Sequence, residues 1–240
     1  MFSVGQWIFR YVRIIACMRQ EGNKSRFTGL IILSCCFVFL VSISMTKSMV
    51  IDFVNRFGLI PLTFMAGINY FSAIAYMFIH IDLTHLVTNM FALYSVGITL
   101  ERNIGTTNFS IIFLLSGIFS GFFHSIFNPD SIIPVVGASG AIFGIIAVLF
   151  LFMPFTLTTA LIVPVPGVVL GLFLLTVETM ALISKESVGI AHDIHLYGFI
   201  VGSLCAFIID YDRALRGLII AVVVLLVIYI IGFQIQGISI

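Results

Sequence analysis

The chain has 240 residues, of which 61% are hydrophobic and only 9% charged. A soluble domain of this size carries about 25% charged residues, so the composition excludes one and indicates a multispan helical membrane protein. The formal net charge of +1 gives no reason to expect a nucleic-acid partner.

Residues 1–27 hold Arg10, Arg13, Arg19, Lys24 and Arg26 without a long apolar stretch, so no cleavable signal peptide is expected. Trp7, Ile8, Phe9 and Tyr11 among those cations fit a helix lying on a membrane surface, and equally a partly ordered basic tail. A membrane-crossing helix needs about 20 mostly apolar residues. The apolar runs predict seven spans, at 28–46, 84–101, 108–127, 136–153, 157–182, 190–209 and 216–235. Residues 47–83 are too broken for a span and read as short interfacial helices. Pro164 and Pro166 predict a kink in the fifth span. Cys35 and Cys36 are adjacent inside an apolar run, where a disulfide framework is not expected.

Positive charge sets the expected orientation, because Lys and Arg collect on the cytoplasmic side. With the N-terminus inside, the inside holds the five N-terminal cations plus Arg102, Arg213 and Arg216, against Lys47, Arg56 and Lys185 outside. Spans two, four and six then begin at the outer face, and the C-terminus lies outside.

Polar groups in spans are costly and point to function. Here they cluster. His80, His85 and Asn89 lie before or within the first turns of span two, Ser139 opens span four, and His192 and His195 open span six. At a rise of about 1.5 Å per residue, Ser139, His85, Asn89 and His195 share a depth just below the outer surface. Gly140 and Gly144 on span four, and Gly198 and Gly202 on span six, are two small-xxx-small patterns that let helices approach closely. Their meeting would bring Ser139 to His195. A serine hydroxyl becomes a nucleophile when a base within hydrogen-bond reach takes its proton, and neutral histidine is the usual base. The Ser139 N–H at a helix N-terminus, with His85 and Asn89 on one helical face, can donate to a developing oxyanion. No carboxylate is well placed: Asp193 is on a different face from His195. His192 is a rival base but lacks glycines three and seven positions on. His192, His124 and Glu178 read as interfacial residues.

These motifs resemble the rhomboid intramembrane serine proteases. The matching pieces are GASGAIFG around Ser139, HIDLTHLVTNM at 80–90 and HLYGFIVG at 195–202. The resemblance implies an all-α membrane protein with a six-helix core at 28–209. The linker and seventh transmembrane helix at 210–240 match members with an added C-terminal span. It implies Ser139 as nucleophile, His195 as base, His85, Asn89 and Gly137 at the oxyanion site, and His80 in support. Phe143 falls where many relatives have a tyrosine packed on the catalytic imidazole. The Trp-Arg pair of many relatives' first loop is absent, with Arg56 the nearest cation.

The expectation is an endopeptidase of the cytoplasmic membrane that cuts transmembrane protein substrates within the lipid bilayer, near the outer face. Two other classes are weighed. A catalytically inactive rhomboid-like protein that binds membrane helices typically lacks the serine or the histidine, and both are present. A proton-coupled transporter predicts internal repeats, and none is visible. No cofactor and no metal are expected: HDIH lacks the H-E-x-x-H pattern of a zinc protease, and no ligand set is expected around His192 and His195.

Overall fold

The computed structural model describes residues 25–161, 163–184 and 191–237. Most of the basic segment 1–27, and Lys185 in the connector 183–189, lie outside these residues. Helix α1 (Arg26–Ile43) is followed by the short helices α2 (Lys47–Phe57), α3 (Pro61–Met65) and α4 (Ser72–Ala75) of the first loop. A second span then runs through α5 (Leu83–Ala92), a five-residue π turn at Leu93–Gly97 and α6 (Ile98–Ile104). Next come α7 (Thr106–Phe127) and α8 (Ser139–Phe152), a two-stranded hairpin of β1 (Leu157–Leu161) and β2 (Val163–Pro166), then α9 (Gly167–Ser184), α10 (His192–Ile209) and α11 (Tyr211–Gly237).

Six of these helical runs are long and apolar enough to cross a membrane: α1, α5–α6, α7, α9, α10 and α11. The chain is thus an all-α membrane protein, and the six runs match six of the seven expected spans. The exposed Phe37, Leu40, Leu225 and Tyr229 face outward from the bundle, as apolar groups in lipid should. The remaining run is different. Helix α8 has 14 residues, about 21 Å at helical rise, against a hydrocarbon core of about 30 Å. Every residue from Gly140 to Phe152 is buried, and α8 packs against α7, α9, α10 and α11. Residues 131–138 lead into α8, and there Val135 and Leu59 exchange backbone hydrogen bonds of 2.8 and 3.0 Å. Gly137 and Ala138 at the end of this irregular stretch are buried in protein, while Ile132 and Ile133 are exposed.

Glycine and serine set how closely the helices meet. A Cβ on Gly198 would strike the Gly140 carbonyl, and one on Gly202 the Gly144 carbonyl, so the expected α8–α10 contact is present. A second stripe, on α7, places Ser116 against Gly144 and Ser120 against Gly140. At the opposite end of the bundle, Glu101 is fully buried and caps α1. Its carboxylate accepts from the Phe27 N–H at 3.0 Å, the Thr28 N–H at 2.8 Å, and the Thr28 and Thr106 hydroxyls at 2.7 and 2.8 Å.

One expected span needs correction. Residues 157–161 and 163–166 are not helical. They pair as an antiparallel hairpin, with Leu157 opposite Pro166 and Thr158 opposite Val165. Pro164 and Pro166 have no N–H to give a helix, and the neighbouring Val and Thr suit a strand. The two prolines therefore precede α9 instead of kinking it. The Ser95 hydroxyl of the π turn accepts from the Thr159 N–H at 3.0 Å and anchors the hairpin to the second span. Cys35, Cys36 and Cys205 are free thiols, as expected.

Candidate active site

A cavity of about 750 Å³ opens where α5, α8 and α10 begin, and His85, Asn89, Gly137, Ser139, His192 and His195 are among its lining residues. Three local devices aim these side chains. Asp82 caps α5 by accepting from the His85 N–H at 2.8 Å, which starts the helix just ahead of His85. Gly137 has φ +119°, a conformation that disfavours any side chain, and its missing Cβ makes room for the His85 ring: a Cβ there would lie 2.7 Å from His85 Nε2. Ser139 is the first residue of α8, so its N–H has no acceptor within the helix.

Across the α8–α10 seam, His195 Nε2 lies 2.8 Å from Ser139 Oγ. Phe143, one turn along from Ser139, stacks on the His195 ring with centroids 4.5 Å apart and planes 3° from parallel. The phenylalanine thus supplies the packing face without a hydroxyl. The Asn89 amide donates to the His85 carbonyl at 2.9 Å, and its Oδ1 is buried without a partner among the described residues. His80 is 3% exposed, sits edge-on to His85 at 5.0 Å, and has no hydrogen-bond partner on either ring nitrogen among the described residues. Burial, and then the neighbouring His85, push the His80 imidazole down to about 4, so it is neutral at neutral pH.

The structure overturns three readings of single residues and one of a residue set. Glu178 is not interfacial. It is 7% exposed, its Oε2 lies 2.5 Å from His192 Nδ1, and its Oε1 lies 3.0 Å from His195 Nδ1. A carboxylate is therefore placed against the same ring that meets Ser139. The Oε1 contact is out of line with the ring N–H and leaves His195 Nδ1 without an aligned hydrogen bond among the described residues. His192 is likewise a cavity residue bound to Glu178. His124 is buried at 9% and pairs with Asp193 at 2.6 Å, with Asn128 also donating to Asp193 at 3.2 Å. Asp193 does face away from His195, as its helical position requires. Finally, a ligand set does exist: Glu178, His192 and His195 each offer one donor atom, all within 4.8 Å of one another. The sequence signal for Glu178 was weak. A lone carboxylate near a helix end has no periodic partner, and its two imidazoles come from another helix.

The model of the family described as Rhomboid domain matches residues 68–212, more than half of the chain. The chain belongs to the rhomboid family. It is 42% identical over 71 residues to the rhomboid protease GluP of Bacillus subtilis, covering 30% of this chain and 13% of that protein. It is 42% identical over 69 residues to RHOMBOID-like protein 2 of Arabidopsis thaliana, covering 29% and 21%. The rhomboid protease GlpG of Yersinia pestis is 27% identical over 139 residues, covering 56% of this chain and 46% of GlpG. The matches thus span less than half the length of each of these relatives. Family membership makes this rhomboid a multi-pass integral protein of a lipid bilayer, related to proteins named as proteases.

Proposed function

We propose that this rhomboid is a serine endopeptidase that cuts transmembrane protein substrates within the bilayer, near the outer face. The observation that carries the reading is the 2.8 Å contact between His195 Nε2 and Ser139 Oγ at the start of α8, open to the cavity. His195 Nε2 takes the hydroxyl proton as Ser139 Oγ attacks the scissile carbonyl carbon. The oxyanion that forms is met by the free Ser139 N–H and by donors from His85 and Asn89. Return of the proton from His195 to the leaving amine breaks the C–N bond, and water admitted through the cavity then hydrolyses the acyl-enzyme. Glu178 stabilises the transient imidazolium through its charge, and Phe143 holds the ring in plane. Gly137 keeps the oxyanion pocket open, and His80, held neutral, buttresses His85.

A peptide carbonyl inside a helix is hydrogen-bonded and hidden, so the substrate must unwind at the cut. Substrates are therefore expected to carry small or helix-destabilising residues there. The charge asymmetry supports a cavity on the outside of the cytoplasmic membrane, with the N-terminus inside and the C-terminus outside. No cofactor takes part. The test is cleavage of a single-span reporter in liposomes. Ser139→Ala and His195→Ala should each lose most activity, up to about a millionfold when the two act as a unit. His85→Ala and Asn89→Ala should fall by about 10²–10³. A fully active His195→Ala overturns the dyad.

A further inference from the structure

We propose that Glu178, His192 and His195 form a binding site for a zinc-like divalent cation, and that filling the site switches the dyad off. The inhibitory half rests on the serine reading above; the binding half does not. Two imidazoles and one carboxylate are a ligand set that zinc accepts, with metal–nitrogen and metal–oxygen distances of about 2.0–2.2 Å. Such bonds put donor atoms about 3.3 Å apart around a tetrahedral ion. Here the carboxylate oxygens already lie 2.5 and 3.0 Å from the two Nδ1 atoms, and one donor from each residue falls within 4.8 Å of the others. Side-chain adjustment of about an ångström closes the set around an ion.

His195 Nδ1 is also poorly served without a metal: among the described residues it has no aligned hydrogen bond. All three side chains are at most 14% exposed, yet His192 and His195 border the cavity, which gives an ion a route in. Magnesium is a poor fit because it prefers oxygen donors and keeps its waters, whereas imidazole suits zinc.

Inhibition follows from proton bookkeeping on one ring. To accept the Ser139 proton, neutral His195 must carry its own proton on Nδ1 and leave the Nε2 lone pair free. Ser139 occupies the Nε2 side, so Nδ1 is the atom open to the ion. A cation on Nδ1 requires the single proton of the neutral ring to move to Nε2, and it binds the lone pair that this leaves on Nδ1. Nε2 then points at Ser139 as a donor and can no longer act as a base. No bond of Ser139 is made or broken, so removal of the ion restores activity.

The experiment pairs binding with inhibition. Zinc is titrated calorimetrically into the intact Ser139→Ala protein in detergent, which reads binding with no catalysis. In parallel, zinc and magnesium are titrated into reporter cleavage in liposomes for wild type, His192→Ala and His192→Gln, each relative to its own metal-free rate. We expect one zinc per chain on Ser139→Ala, zinc inhibition of wild type reversed by chelator, and no effect of magnesium. Either His192 variant should raise the half-inhibitory zinc concentration by about a hundredfold. Absence of zinc binding to Ser139→Ala overturns the site. Equal inhibition of wild type and both His192 variants places the ion elsewhere and overturns it too. Cleavage that requires zinc overturns the switch and the serine reading together. A wild type that binds zinc but cleaves no reporter under any condition refutes the protease reading and leaves the binding site standing.

Discussion

Glu101 and Glu178 are both buried carboxylates on membrane helices, at 0% and 7% exposure, and their surroundings are opposite. Glu101 accepts four hydrogen bonds from backbone and hydroxyl donors that cannot take up a proton at ordinary pH. It ties the start of α1 to the join of α6 and α7. Glu178 faces two imidazoles, both of which can gain or lose a proton, and those imidazoles border a cavity. The lesson is that burial of a charge in a membrane helix does not by itself mark chemistry. A fully satisfied carboxylate is placed to hold the fold, while one shared between proton carriers beside a cavity is placed to tune reactivity.

Exchanging each carboxylate for an amide sharpens this contrast. Glu178→Gln should lower kcat/KM by about 10²–10⁴, the upper end being the effect of such an exchange at an aligned serine–histidine pair. Its melting temperature in detergent should move less than that of Glu101→Gln. Glu101→Gln forfeits charge-assisted bonds worth about 1.5–3 kcal/mol each, so it should melt lower yet stay active at temperatures where it is folded. A folded but inactive Glu101→Gln, paired with an active Glu178→Gln, would reverse the assignment of the two.

The next effect concerns the seam that delivers His195 to Ser139. A side chain at Gly198 meets the Gly140 backbone, which has no flexible end to move aside. Gly198→Val should therefore displace the α8–α10 pair, and a shift of about an ångström can cost about a hundredfold in rate. Steady-state cleavage at the wild-type rate would show that the seam tolerates the displacement.

The smallest expected effect is on stability and comes from His80. A histidine in an unfolded chain titrates near 6.5, and burial holds folded His80 at about 4. Between those values the unfolded chain binds more protons than the folded one. Stability therefore falls as pH drops from about 6.5 toward 4 and loses nothing further from His80 below that. The slope cannot exceed about 1.4 kcal/mol per pH unit. Melting temperatures at pH 7 and pH 5 should differ less in His80→Leu than in wild type. An equal difference would mean that His80 is not the group that resists protonation.

Much of the architecture was legible because it is periodic or compositional. Apolar runs gave the spans, and glycine spacing gave the α8–α10 seam. Ser139, His195 and Phe143 came together as their positions on those two helices required. What failed to show was pairing between distant helices. Glu178 meets residues 14 and 17 positions on, and His124 meets Asp193 across 69 residues. Neither leaves a local pattern. The hairpin at 157–166 was missed for a different reason: a run of Leu, Thr, Val and Ala has membrane-helix composition, and only the prolines and β-branched residues argue against it. Glu101 stood at the last position of the expected second span, beside Arg102, and carried no sign that its partners were the backbone N–H groups of α1.

The central claim is that Ser139 is a nucleophile activated in place by His195. It is tested most directly by treating the intact protein in detergent with a fluorophosphonate serine-hydrolase probe and locating the adduct by peptide mass spectrometry. The account predicts one adduct, on Ser139 Oγ, that is lost in folded Ser139→Ala and in folded His195→Ala. Wild type that stays unlabelled while cleaving reporter, or label that persists in Ser139→Ala, would contradict it.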